Sequence, residues 1–435
     1  LSRGTSGTTL RAIDRAIEAR TDHAFAFLKR LVAAPSTVGC ELEAQALVQE
    51  ELERLGFDVQ LLPIPETIAD DPLAGVPQGP YEGRFDVVGR LGRGRGPKLL
   101  IDGHIDVVPA GEPALWSSPP FTPRVRRGRL YGRGAGDMKC GFAMTTLALD
   151  AIGAVAPEAI SGPLTFLSAI EEECTGNGTL AAARAGVLAD AVLLPEPTDL
   201  QLLVAGVGIL WLDVEVRGRA AHAESADRSV NPVDATLALL PAIRAFEAEM
   251  NLEIEPAMSG VAHPYNVNVG TVSAGDWGSS VPALARMRLR IGHPTAWTAQ
   301  EAERRFTRAL HAAAAEDPWL RRHPPVVRRS GFRAQGYALD PGHALARRVA
   351  DAHEDAHGVR PEAVAMGSTT DARIFLRAFG IPAVCYGPAA HDIHGINECV
   401  ELASIVDGAR TLARFLIDWY AAPPSRKDLR VRTSS

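Results

Sequence analysis

The chain has 435 residues, with 45 basic and 52 acidic side chains and a formal charge of −7. At 46% hydrophobic and 22% charged it is too apolar for a disordered chain and too varied for a fibrous one, and its mild acidity argues against a nucleic-acid binder. At roughly 150 residues per domain the length predicts about three units. Five scattered cysteines, Cys40, Cys140, Cys174, Cys385 and Cys399, exclude a disulfide scaffold or a thiolate-rich zinc site and suit a reducing compartment.

Leu1–Arg20 has no apolar core of signal-peptide length, so no secretion signal is expected. Helical spacing begins near Thr8, with Ile13, Ile17, Phe25, Leu28 and Leu31 on one face, and resumes at Leu42, Ala46, Leu47, Leu52 and Leu55 before a stop at Gly56. Short strand-like runs follow at 57–62, 85–91 and 98–101, with the basic glycine run Gly92–Gly96 between them read as a solvated turn. A helix is expected over 138–152 and buried strands over 164–170 and 191–194. Helices alternating with wholly apolar strands predict an α/β unit with a mostly parallel sheet covered on both faces. The longest apolar run, Leu202–Leu212, spans 11 residues and holds two glycines. A bilayer span needs about 20, so this is a strand pair or a strand with a turn, and a cytoplasmic protein without a membrane partner is expected.

The pattern changes near Gly208. Leu210–Val216 alternates apolar and polar residues, and helices at 232–250 and 298–315 punctuate strands at 265–272, 285–291 and 325–329. This βαββαβ order is that of a ferredoxin-like α+β sandwich. Helix, apolar strand and helix then return at 343–357, 381–386 and 402–420. The expected division is a catalytic domain in two stretches, 1–208 and 333–435, interrupted by an inserted domain at 209–332.

Five segments carry candidate chemistry, each with a bland alternative. His104 and Asp106 stand two apart after an apolar strand, so they share a side; a strand-end histidine beside a surface carboxylate is the alternative. Asp137 follows three glycines in Gly132-Arg133-Gly134-Ala135-Gly136 and could simply cap the next helix. Glu171-Glu172-Glu173 places three acids directly after a buried strand, where they repel one another unless a cation compensates. Adjacent acids point different ways, so one could ligate a metal while its neighbour acts as a base. Glu196 sits between Pro195 and Pro197 after another apolar strand, and His391 or His394 follows the last one. Jointly these strand ends offer His, Asp and Glu ligands without thiolate, which suits zinc, cobalt or manganese. Five side chains exceed the needs of one catalytic zinc, so two ions sharing a carboxylate are expected.

In this order, GHIDVVP, YGRGAGDMK, EEECTGNG, PEPT and HGINE, the motifs resemble those of the dinuclear zinc amidohydrolases and metallopeptidases that include acetylornithine deacetylase, succinyl-diaminopimelate desuccinylase, aminoacylase and glutamate carboxypeptidase. The resemblance runs from about Leu31 to Leu416 and implies a catalytic α/β domain with an inserted dimerisation (lid) domain. It implies that His104, Asp137 and Glu196 hold one divalent ion and that Asp137, Glu172 and His394 hold the other. Asp106 would orient His104, and Glu171 would be the general base that activates a metal-bridging hydroxide. His222, in Gly218-Arg219-Ala220-Ala221-His222, matches a residue that stabilises the oxyanion across a homodimer, while Arg290 and Thr369 match substrate-carboxylate positions. Cys140 replaces the family's usual glycine after Met-Lys, and Ser280 replaces an asparagine before Val-Pro. Cys140 either narrows the pocket or packs within its helix.

The implied function is metal-dependent hydrolysis of the amide bond of a small N-acyl amino acid or N-acyl amine, that is, deacylation at a linear amide. A dipeptidase, a carboxypeptidase or a deformylase of a non-amino-acid amine is the alternative within hydrolases. A non-catalytic metal-binding module is the alternative from another class.

Overall fold

The computed structural model describes residues 7–92, 94, 96–425 and 427–431. The turn expected at Gly92–Gly96 includes Arg93 and Arg95, which lie outside the described residues. The first helical run resolves into two helices, Gly7–Ala33 and Leu42–Arg54. Pro35 disfavours helical backbone at Ala34, and the intervening segment turns toward the sheet, where the Ser36 hydroxyl donates to the Ile105 carbonyl at 2.6 Å. Gly56 ends the second helix at φ +84°, which a glycine tolerates without steric cost. The buried Lys139 amine ties the end of the first helix to the third, Lys139–Val155, by donating to the buried carbonyls of Leu31 (2.6 Å) and Ala34 (3.0 Å). Burial lowers this amine to about 7.

The main sheet is mixed, with a parallel centre. Leu164–Ala169, Leu99–His104, Ala191–Leu194 and Ala383–Cys385 lie side by side in parallel. Leu99–His104 and Ala191–Leu194 are buried at every position, which is why Leu99–Ile101 and Ala191–Leu194 read as apolar runs. Asp58–Pro63 and Phe85–Leu91 extend one side antiparallel, and Leu202–Gly206 joins antiparallel on the other.

A second sheet holds Val267–Ala274, Leu284–His293, Gly208–Arg217 and Val326–Ala334 in that order, all antiparallel. The run Leu202–Leu212 is thus two strands in two sheets, with Val207 between them. In Gly208–Arg217 the residues Leu210, Leu212, Val214 and Val216 are buried with the helices Pro232–Met250 and Ala299–Ala314. Trp211, Asp213 and Glu215 alternate with them and take the opposite face. Each sheet has its own apolar core. The last strand runs past Phe332 to Ala334.

Among the described residues no helix is long and apolar enough to cross a membrane. All five cysteines are free thiols.

Candidate metal centre and substrate cleft

The parallel strands Leu99–His104, Leu164–Ala169 and Ala191–Leu194 bring their C-terminal ends to one edge, where ligands gather in open α/β sheets. There the structure assembles His104, Asp137, Glu172, Glu173, Glu196 and His394. Asp137 stands between the two histidines: Oδ1 is 3.2 Å from His104 Nε2 and Oδ2 is 3.4 Å from His394 Nε2. Carboxylate oxygens of Glu172 and Glu196 each lie 3.9 Å from His104 Nε2. Glu173 Oε2 lies 3.0 Å from His394 Nε2. Donor atoms of His104, Asp137 and Glu173 all fall within 4.8 Å of one another.

This corrects the register of the acid run by one residue. Glu173, not Glu172, meets His394 and Asp137, and Glu171 does not face the cluster. Glu171 has φ +62°, a left-handed conformation costly for a residue with a side chain. The turn carries its carboxylate away into a buried network. Arg84 donates to Glu171 Oε1 at 2.6 Å, while the Tyr81 and Thr175 hydroxyls donate to Oε2 at 2.7 and 2.8 Å. Arg84 is itself shared with Glu41. With three donors, one of them a guanidinium, this carboxylate is fully engaged, while Glu172 and Glu173 face the cleft. The Glu172 carboxylate has no hydrogen-bond partner among the described residues.

Asp106 also acts differently from expectation. His104 Nδ1 lies 2.9 Å from the Asp106 backbone carbonyl and 3.7 Å from its carboxylate. The carboxylate instead accepts from the backbone N–H groups of Glu172 (3.1 Å) and Glu173 (3.2 Å), fixing the acid run beside the histidine. Glu398, which sequence reasoning did not single out, accepts from the N–H groups of Gly136 (2.8 Å) and Asp137 (3.0 Å) and is ion-paired with the buried Arg133. Arg133 also donates to the carbonyls of Gly395 (3.0 Å) and His394 (3.3 Å). One buried pair thus joins the loop of Asp137 to the loop of His394. The glutamate that closes HGINE was its only signal in the sequence.

Electrostatically the cluster is short of cations. Among the described residues no lysine or arginine pairs with Asp137, Glu172, Glu173 or Glu196. Burial pushes Glu196 up to about 8 and Asp106 up to about 7, and it holds Glu172 well above the usual carboxylate range. Glu173 raises His394 to about 11. Burial alone would raise Asp137 too, but hydrogen bonds from His104 and His394 hold it well below the carboxylate range. Converging, dehydrated carboxylates and two imidazoles without thiolate form a donor set that fits divalent zinc, cobalt or manganese.

Beside the cluster lies a cleft of about 770 Å³ between the two sheets, lined by Glu172, Glu173 and His394 on one side and by Trp211, Arg290 and Thr369 among others on the other. Arg290 donates to the Gly367 carbonyl at 2.9 Å and to Asn266 Oδ1, both neutral, and burial pulls it down to about 10. Among the described residues the buried Thr369 hydroxyl has no partner. Cys140 is buried, donates to the Gly136 carbonyl at 2.9 Å and packs within its helix without lining the cleft. His222 is not brought to the cluster. It is exposed on a two-stranded ribbon, where it pairs with Ser280, and its Nδ1 accepts from the Glu224 N–H at 3.1 Å.

With this geometry in view, the profile of Peptidase family M20/M25/M40 matches residues 100–418. The chain belongs to this family. As an M20 protein it is a hydrolase of amide or peptide bonds. It is 32% identical to the succinyl-diaminopimelate desuccinylase of Methylobacterium sp. (strain 4-46) over 419 residues, which are 93% of this chain and 98% of the relative. The M20 fold is shared with the di-peptidase Dug1p of Saccharomyces cerevisiae at a TM-score of 0.77 and 16% identity, over 95% of this chain and 99% of that one. Human carnosine dipeptidase 1 matches at a TM-score of 0.77 and 17% identity, with coverage of 95% and 99%.

Proposed function

We propose that the protein is a deacylase that hydrolyses the amide bond of a small N-acyl amino acid. The observation that carries this reading is the placement of Arg290, a cation without an acidic partner, in the same cleft as Glu172 and the ligand cluster. An unpaired guanidinium beside an unsatisfied threonine hydroxyl suits one substrate carboxylate, and the name of the Methylobacterium relative agrees with an N-acyl amino acid substrate.

His104, Asp137 and Glu196 would hold one divalent ion, and Asp137, Glu173 and His394 a second, with zinc the first candidate. When bound, such ions polarise an amide carbonyl and make water a nucleophile near neutral pH. Arg290 and Thr369 hold the substrate carboxylate and so place the scissile amide against Glu172. Glu172 takes the proton of the attacking water and returns it to the leaving nitrogen, a task suited to a buried carboxylate with a raised pKa. Asp106 keeps Glu172 and Glu173 in register through their backbone N–H groups. His222 would serve the oxyanion of a partner subunit in a homodimer, with residues 209–332 as the inserted dimerisation unit.

The test is turnover of N-acetyl, N-formyl and N-succinyl amino acids and of dipeptides by protein of measured metal content. Hydrolysis of N-acyl amino acids that is lost on chelation supports the reading. Hydrolysis of dipeptides alone transfers the protein to the peptidase alternative, and no turnover with metal bound removes the enzyme assignment.

A further inference from the structure

Two neighbouring strands of the second sheet, Gly208–Arg217 and Leu284–His293, place three arginines opposite three residues of the same face. Arg286 lies across from Glu215, Arg288 from Asp213 and Arg290 from Trp211. The first two are ion pairs, at 3.0 Å and 2.7 Å. The ladder breaks at the third rung, whose two residues both line the cleft. Arg290 is therefore unpaired because its cross-strand neighbour is an indole, and directly opposite residues on a sheet face touch.

The indole has a built setting. Trp211 packs edge-to-face on Phe332, with ring centroids 5.6 Å apart at 79°, and Phe332 lies beneath the Arg373 guanidinium at 5.6 Å. Gly331 has φ +62°, and a Cβ there would run into the Trp211 ring, so this position leaves room for the indole. Ile209 and Leu289 extend the apolar wall along the cleft. The other arginine of the cleft, Arg288, gives Nε and one terminal nitrogen to Asp213, so its charge is already matched by an acid, and its remaining nitrogen faces Gln78 at 3.4 Å. A second substrate carboxylate would thus find apolar surface, neutral polar side chains or a guanidinium already paired with an acid, and no second unpaired cation among the described residues of the cleft.

We propose that Trp211 is the specificity-determining residue of the cleft, and that the preferred substrate is an N-acyl amino acid whose side chain is large and apolar, aromatic or branched, set beside the carboxylate that Arg290 holds. This deepens the deacylase reading and rests on it for turnover, but not for binding. Because Arg290 and Trp211 are adjacent, the carboxylate and the apolar group they take must also be adjacent in the ligand, as they are on one amino-acid Cα.

Two measurements test it. Metal-loaded enzyme should hydrolyse N-acetyl-L-phenylalanine or N-acetyl-L-leucine with kcat/KM roughly tenfold or more above N-acetylglycine and N-acetyl-L-glutamate, the range a fitted apolar pocket provides. Trp211→Ala should erase most of that ratio, while Trp211→Phe should keep it. Calorimetry on metal-free protein should show N-acetyl-L-phenylalanine binding more tightly than N-acetyl-L-glutamate, and Trp211→Glu, which completes the ladder and pairs Arg290, should weaken that binding about tenfold or more. A preference for the glutamate or glycine derivative, or a ratio unchanged in Trp211→Ala, overturns the proposal. Selective binding without turnover by metal-loaded enzyme would overturn the deacylase reading and leave the pocket assignment standing.

Discussion

The carboxylate of Glu171 is held 2.6 Å from the guanidinium of Arg84, buried and turned away from the histidines of the cluster. This pairing separates an anchoring acid from the two acids that follow it. Glu171→Gln should therefore act first on stability. Removing one charge of a buried pair leaves the other uncompensated and costs about 3 kcal/mol, though Glu41 still faces Arg84. Urea unfolding of the metal-free variant measures this cost. A loss near zero, with full loss of turnover, would restore Glu171 to the reacting centre.

Glu398 and Arg133 predict a second kind of defect. Glu398→Ala strands Arg133 and releases the N–H groups of Gly136 and Asp137. The Asp137 loop and the His394 loop then lose their common tie. Chelator competition should show the weaker metal affinity falling about tenfold or more, the size expected for a partner that orients a ligand. Glu398→Gln, which keeps an acceptor for the two N–H groups, should recover part of it. Unchanged affinities in Glu398→Ala would remove the positioning role.

Metal binding should release protons. Glu196 at about 8 and His394 at about 11 hold a proton near neutral pH in the metal-free protein, and so does His104, which burial pulls down but Asp137 and the nearby carboxylates hold well above the usual imidazole range. Ligands must be deprotonated, so loading expels about three protons per chain and the apparent affinity rises between about pH 6 and pH 8. The sign follows from raised pKa values: the metal-free state binds more protons than the loaded one, so lower pH favours it. Calorimetric titration in buffers of different ionisation enthalpy counts the protons. No release would contradict the described electrostatics.

Much of this site was legible because buried parallel strands announce themselves. Apolar runs ending in His104, in the acid run and just before Glu196 mark one edge of one sheet. The glycine within Leu202–Leu212 marked the passage from the first sheet to the second. What stayed hidden was direction. Three consecutive acids carry no local mark of which one takes the left-handed turn, and Glu171 does so because Arg84, 87 residues away in sequence, waits for it. Arg133 and Glu398 are 265 residues apart and meet only in the fold. The unpaired state of Arg290 likewise depends on strand register, which places Trp211 opposite it and Asp213 opposite Arg288. Asp106 was recognised as a partner of His104, but its carboxylate serves the backbone of the acid run, a role that spacing alone does not encode.

Glu172 is the acid proposed to move the proton. The most direct test is the kcat of metal-loaded Glu172→Gln on a substrate that the wild-type protein hydrolyses, with metal content measured on the same sample. The account predicts metal bound as in wild type and a kcat lower by roughly 10²–10⁴-fold, the usual contribution of a general base. A kcat within about tenfold of wild type at full metal content would contradict it.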